Sequence, residues 1–190
     1  CRGASAHVGA ACARVGQAIV RLIAFVPLVA LLALVGVSVF LLTREGERER
    51  FTEGMVGQPA PAYALARLDD GPVLTNDERR GRAYVINLFA SWCTPCRAEH
   101  PQLMALRAQG VDIVGIAYKD RPEASAAFLN ELGDPFADVA SDPEGRFGLE
   151  LGITGVPETF VIGPDGTIRA AYRGPLTEEA VHDVILPALR

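Results

Sequence analysis

The sequence predicts an α/β domain, a central mixed sheet flanked by helices, with an N-terminal transmembrane helix ahead of it. Three observations carry that expectation. Residues 83–90 and 111–118 are apolar-rich runs, each followed by a helix-forming stretch, which is the pattern of a parallel βαβα core. Residues 159–162 and 167–172 flank Gly163-Pro164-Asp165-Gly166, the pattern of an antiparallel hairpin at the sheet's end. Residues 22–42 carry no charged side chain, and as a helix they would extend about 31 Å, enough to cross a hydrocarbon core.

The elements follow in order. Residues 1–43 hold Arg2, Arg14 and Arg21 and no acid, so all 23 acidic residues come later. A short basic flank stays in the cytoplasm, which places residues 1–21 inside and the C-terminal domain outside. A cleaved signal peptide would have a shorter apolar core and a small-x-small site, whereas this run ends in Leu41-Leu42-Thr43-Arg44-Glu45. The expected arrangement is a single-pass anchor over 22–42, a tether over 43–60 and an outer domain over 61–190. The net charge of −5 and the acidic balance of the outer domain give no reason to invoke nucleic acid.

Residues 63–68 and 72–74 flank Asp69-Asp70-Gly71 and read as a pair of short strands. Residues 83–90 read as a strand buried on both faces. A helix is expected from about Cys93 to Gln109, closed by Gly110 and kinked at Pro101. After the second buried strand, Pro122 opens a helix that ends at Gly133. Residues 136–139 read as a short strand, and 146–151 as a short helix. Thr177 caps a final helix, with Glu178 and Glu179 in its first turn.

Of the four cysteines, Cys1 and Cys12 precede the anchor and read as free thiols on the reducing side. Cys93 and Cys96 are then the only pair in the exported domain. So close a pair closes almost no loop and staples little, so its value lies in its chemistry. In Trp92-Cys93-Thr94-Pro95-Cys96 the pair sits between a buried strand and a helix. A cysteine at a helix N-terminus has its thiolate stabilised by unpaired backbone donors, which lowers its pKa. Cys93 is therefore the attacking thiolate, and Cys96, one turn on, resolves the mixed disulfide. Pro95 stiffens the first turn, where its missing donor costs nothing. A zinc site would need two more ligands, with His100 the only near candidate. Covalent haem attachment needs His after the second cysteine, and Arg97 stands there. No metal and no diffusible cofactor are expected.

Other residues keep two readings. Glu99 is either an exposed helix glutamate or a buried acid that exchanges the proton of Cys96. Val156-Pro157 is either a trans proline opening a strand or a cis peptide. Glu158 either lines a groove or is an edge-strand charge. Tyr118 reads as packing, and His100 as helix surface. Asn87 cannot titrate near neutral pH.

The order of elements, with Trp92-Cys93-Thr94-Pro95-Cys96 and later Val156-Pro157, resembles the thioredoxin superfamily. Four segments together resemble the membrane-anchored DsbE/CcmG proteins of cytochrome c maturation: Cys96-Arg97-Ala98-Glu99-His100-Pro101, Tyr118-Lys119-Asp120, Gly133-Asp134-Pro135-Phe136 and Gly155-Val156-Pro157-Glu158-Thr159-Phe160. That likeness implies a thioredoxin fold over most of residues 56–190. It implies a cis Pro157 beside the dithiol, with Val156 and Pro157 pairing with an extended substrate, and it favours a functional Glu99. Many thioredoxins have a buried Asp where this chain has Asn87, a departure that turns attention to Glu99 as proton acceptor. Trp92, Thr94, Pro95 and Glu158 complete the expected substrate surface. The family's role implies a monomeric reductant anchored in a bacterial inner membrane with its domain in the periplasm, acting on apocytochrome c or a partner thiol protein and supplied with electrons by a membrane thiol transporter. Alternatives are a general exported reductase or isomerase, a non-catalytic module that binds apocytochrome segments, and a peroxidase.

Overall fold

The computed structural model describes residues 26–27, 29–40 and 54–190. The described part of the expected anchor, 26–27 and 29–40, is helical and exposes its apolar side chains. No helix among the described residues is long and apolar enough to cross a membrane. The expectations for Cys1, Cys12, the basic flank and residues 43–53 lie outside the described residues.

Residues 54–190 form a thioredoxin-like α/β body. The strands are β1 (Ala64–Arg67), β2 (Leu74–Thr75), β3 (Tyr84–Phe89), β4 (Ile113–Tyr118), β5 (Asp138–Asp142), β6 (Glu158–Ile162) and β7 (Ile168–Arg173). The helices are α1 (Thr94–Ala108), α2 (Pro122–Leu132), α3 (Arg146–Glu150) and α4, which runs from Glu178–Ala180 through a π turn at Val181–Ile185 into Leu186–Ala188. Pro187 has no backbone donor for the preceding turn, which accounts for the wider winding there. The sheet order is β2-β1-β5-β4-β3-β6-β7. β4 pairs parallel with β3 and β5, and the remaining pairs are antiparallel.

Strand alternation decides what faces what. On β3, Val85 and Phe89 join the core beneath α1, α2 and α4, while Tyr84, Ile86 and Leu88 join the core on the other face, with Phe147 and Leu151. Asn87 therefore points towards α1. On β6, Val161 lies in the first core and Phe160 and Ile162 in the second. Each fully buried large apolar side chain contributes about 1.5–3 kcal/mol. Away from the sheet ends that carry the site, the buried Arg79 binds Asp112 and Asp138, tying the turn before β3 to β4 and β5.

Two element boundaries differ from expectation. The tether predicted to reach residue 60 is docked from Met55 onward: Gly57 N–H donates to Ile168 O, Ile168 N–H to Gln58 O, and Ala60 N–H to Gly166 O. The strand expected at 136–139 lies instead at Asp138–Asp142. Phe136 is taken by packing, its ring stacked on Phe89 at 5.0 Å. The polar end of β5 is tolerated because Asp142 Oδ2 accepts the Gly148 N–H at 2.9 Å, inside the fold. Helix α1 runs through Pro101 without a break.

Candidate functional site

The site is built where β3 gives way to α1. Cys93 is the N-cap of α1, and its sulfur accepts the backbone N–H of Cys96 at 3.1 Å. The pair is joined as a disulfide, with S–S 2.07 Å and Cα–Cα 5.3 Å. Both cysteines are nearly covered, at 4% and 2% exposure. Thr94 and Pro95 are exposed in the first turn. Trp92 is 60% exposed, yet its indole N–H donates to Lys119 O at 3.2 Å. Opposite, the Val156-Pro157 peptide is cis, and Val156 O lies 3.6 Å from Cys93 Sγ. Pro157 itself is buried.

Glu99 is fully buried, one turn after Cys96. Its Oε2 accepts the Leu176 backbone N–H at 2.8 Å, and its Oε1 accepts the Asn87 side-chain amide, also at 2.8 Å. Asn87 also donates to Thr159 Oγ1 at 3.0 Å. Burial raises the Glu99 pKa to about 7, against the lowering effect of those two donors. The carboxyl is thus held near equal populations of acid and base at neutral pH, the condition for taking and returning a proton.

Two sequence expectations are corrected here. His100 is buried rather than on the helix surface, and its Nε2 lies 2.9 Å from Gly133 O. The inward stripe of α1 is Cys96, Glu99, His100, Leu103 and Leu106, and its i, i+3, i+4, i+7 spacing was readable in the sequence. Glu158 is not an edge charge, because β6 lies between β3 and β7. Nor does it line an open groove. It is 1% exposed, shares its face with Phe160 and Ile162 and not with Asn87 and Thr159, and accepts Thr154 N–H at 2.8 Å. Arg173 Nε lies 3.3 Å from the same carboxylate. Sequence reasoning also missed Leu176 and Thr159 as parts of the site, since a backbone donor and a neutral hydroxyl carry no motif. Among the described residues, no group of three His, Cys, Asp or Glu is placed to hold a metal.

A thioredoxin-like sheet, a disulfide across the first turn of its helix, a carbonyl against the leading sulfur and a buried acid behind the second together define a thiol–disulfide oxidoreductase. Comparison with known proteins agrees. Residues 55–185 match the Redoxin family model, and the chain belongs to that family. It is 37% identical over 166 residues to the thiol:disulfide interchange protein HelX of Rhodobacter capsulatus, covering 87% of this chain and 94% of that one. It is 40% identical over 169 residues to the thiol:disulfide interchange protein DsbE of Yersinia pestis, covering 86% and 89%. Among solved structures, a thiol:disulfide interchange protein of the thioredoxin family from Chlorobium tepidum superimposes with a TM-score of 0.58 at 30% identity, covering 70% of this chain and 96% of that one.

Proposed function

We propose that the protein is a membrane-tethered reductant on the periplasmic side, which reduces the cysteine pair of apocytochrome c, or of a partner thiol protein, before haem attachment. The observation that carries this is the disulfide at the head of α1 with Glu99 sealed behind it. In the reduced protein, the Cys93 thiolate attacks one sulfur of the substrate disulfide. That bond breaks, one substrate sulfur leaves as a thiolate, and a mixed disulfide forms. Glu99 takes the proton of Cys96, whose thiolate then attacks Cys93 Sγ and expels the second substrate sulfur. Two electrons have passed to the substrate, and the protein is left with the Cys93–Cys96 disulfide. A membrane thiol transporter returns it to the dithiol.

The reaction needs no diffusible cofactor. Val156 O lies against Cys93, and Trp92, Thr94 and Pro95 are exposed next to it in the chain; these residues, with Pro157 of the same cis peptide, are assigned to substrate contact. A backbone carbonyl beside Cys93 suits pairing with an extended peptide, as in strand addition. The cytochrome task is supported by the four sequence segments shared in order with the cytochrome c maturation proteins. The anchor is supported by the uncharged run at 22–42 and its basic flank.

The test uses two variants. Cys93→Ser is expected to abolish reduction of the substrate disulfide, and Cys96→Ser to accumulate a mixed disulfide in which apocytochrome c or a maturation thiol protein is captured. Cells lacking the protein are expected to lose holocytochrome c while other exported disulfide proteins keep their pattern. Full activity in Cys93→Ser sinks the redox assignment, and normal holocytochrome levels sink the cytochrome one.

A further inference from the structure

The bend Ser91-Trp92 joins the end of β3 to Cys93 and lies outside the sheet ladder. It is held by two consecutive residues just past β4. Asp120 Oδ2 accepts the Ser91 backbone N–H at 2.6 Å and the Ser125 hydroxyl at 2.7 Å. Its Oδ1 accepts the Ser91 hydroxyl at 3.0 Å and the Arg121 backbone N–H at 2.9 Å. Lys119 turns in the left-handed region, at φ 48°, and its carbonyl accepts the Trp92 indole N–H. Both residues ahead of the attacking cysteine are therefore fixed to the same short segment.

Four donors on one carboxylate fill both oxygens, which only the ionised form can provide in full. Burial opposes ionisation at Asp120, but the bonds from Ser91, Ser125 and Arg121 outweigh it and hold the carboxyl below its usual range. The thiol–disulfide chemistry has no use for this charge as a proton carrier. It does need Cys93 and the indole beside it to be presented in one fixed relation.

We propose that Asp120 is a positioning residue for the Cys93–Cys96 pair, its carboxylate anchoring the Ser91-Trp92 bend so that the indole and the Cys93 sulfur meet an incoming disulfide in register. This rests on dithiol chemistry at Cys93 and not on which protein is the substrate. An amide at position 120 keeps the shape but turns an NH2 group towards donors, so the bend comes loose.

The experiment uses the full chain and two variants, Asp120→Asn and Ser91→Ala. Trp92 is the only tryptophan of the chain, so its emission reports the bend directly. Three quantities are read on protein shown to be folded by circular dichroism: Trp92 emission in both redox states, the alkylation rate of Cys93 in the reduced state, and the rate of reduction of a small aromatic disulfide. In Asp120→Asn the emission is expected to move to the red and to lose its response to reduction. Alkylation and disulfide reduction are expected to fall about 10-fold. Ser91→Ala, which keeps the backbone bond, shows a smaller change of the same kind and serves if Asp120→Asn does not fold. A folded variant with altered stability but wild-type emission and alkylation overturns the proposal and leaves Asp120 as a staple between β4 and α2. Emission and alkylation need no substrate, so they decide the matter even if the wild type proves inert towards the disulfide.

Discussion

At the scale of single residues, the proposed mechanism gives two tasks to two cysteines that are placed differently on one helix. Cys93, at the N-cap, lies against the Val156 carbonyl, and its sulfur accepts a backbone N–H. Cys96 faces inward on the same stripe as Glu99. On the proposed mechanism the carboxyl, with its pKa raised to about 7 by burial, serves the resolving step and not the attack. Glu99→Gln is expected to slow resolution of the mixed disulfide roughly 100-fold at neutral pH, while alkylation of Cys93 changes far less. Because Glu99 must be ionised to take the proton, the wild-type resolution rate should rise through about pH 7, and that step should vanish from the variant's profile. Single-turnover kinetics across that range measure both. An unchanged profile would remove Glu99 from the proton path. In the sequence, Glu99 was a helix acid with two possible surroundings. Its burial became decidable only once β3 brought Asn87, and the segment before α4 brought Leu176, onto its two oxygens.

At the scale of elements, the packing under the site is close. Gly115 lies in β4 opposite Phe136, and a Cβ built there would stand 2.6 Å from the Phe136 ring. Phe136 is stacked on Phe89 of β3 and cannot yield freely. Gly115→Ala is expected to cost about 1–3 kcal/mol by overpacking, read as a lower urea midpoint at unchanged slope. Thr177 caps α4 through its hydroxyl, which accepts the Ala180 N–H at 3.1 Å. Thr177→Ala should cost about 1 kcal/mol. The central strands and α1 and α2 were readable because their signals are local: doubly buried apolar runs, Pro122 at a helix start, and Gly110 and Gly133 at helix ends. β5 was not, since it ends in two buried polar residues, Ser141 and Asp142, which break the apolar pattern of a core strand, and Asp142 is satisfied only once Gly148 of α3 turns its N–H onto it. Glu158 failed in the same way. Its neighbours Thr154 and Arg173 come together only when the loop before β6 and the strand β7 pack around it.

At the scale of the whole molecule, buried titrating groups link stability to pH. Burial raises the Glu99 pKa to about 7 in the folded protein, against an ordinary 4.5 in the unfolded chain. Between those values the folded state holds a proton that the unfolded chain has released, so stability falls as pH rises from 4.5 to 7. The full effect is about 3 kcal/mol, absent below that window and complete above it. His100 acts in the opposite sense. Burial lowers its pKa, so the unfolded chain takes up a proton first, and its contribution is lost as pH falls through the range below 6.5. Asp120, held below its usual range, stays ionised throughout this window. Comparing wild type with Glu99→Gln isolates the glutamate: urea unfolding of the oxidised proteins at pH 5 and pH 8 should show a smaller loss at the higher pH in the variant. Equal losses would mean that Glu99 is not buried as a titrating group.

The bond from Leu176 to Glu99 spans 77 positions of sequence and comes from the segment that leads into α4. That donor holds the Glu99 pKa below what burial alone would give, so the acidity of the acid one turn after Cys96 is set in part by a segment that contributes no reactive side chain of its own. Any partner, tag or cleavage that lifts α4 away from α1 would let water reach Glu99 and return it to an ordinary carboxylate, permanently charged at neutral pH. The disulfide would still form and still be reducible. What would go is the reversible proton store behind it, so the protein would persist as a redox couple with its acid–base timing uncoupled.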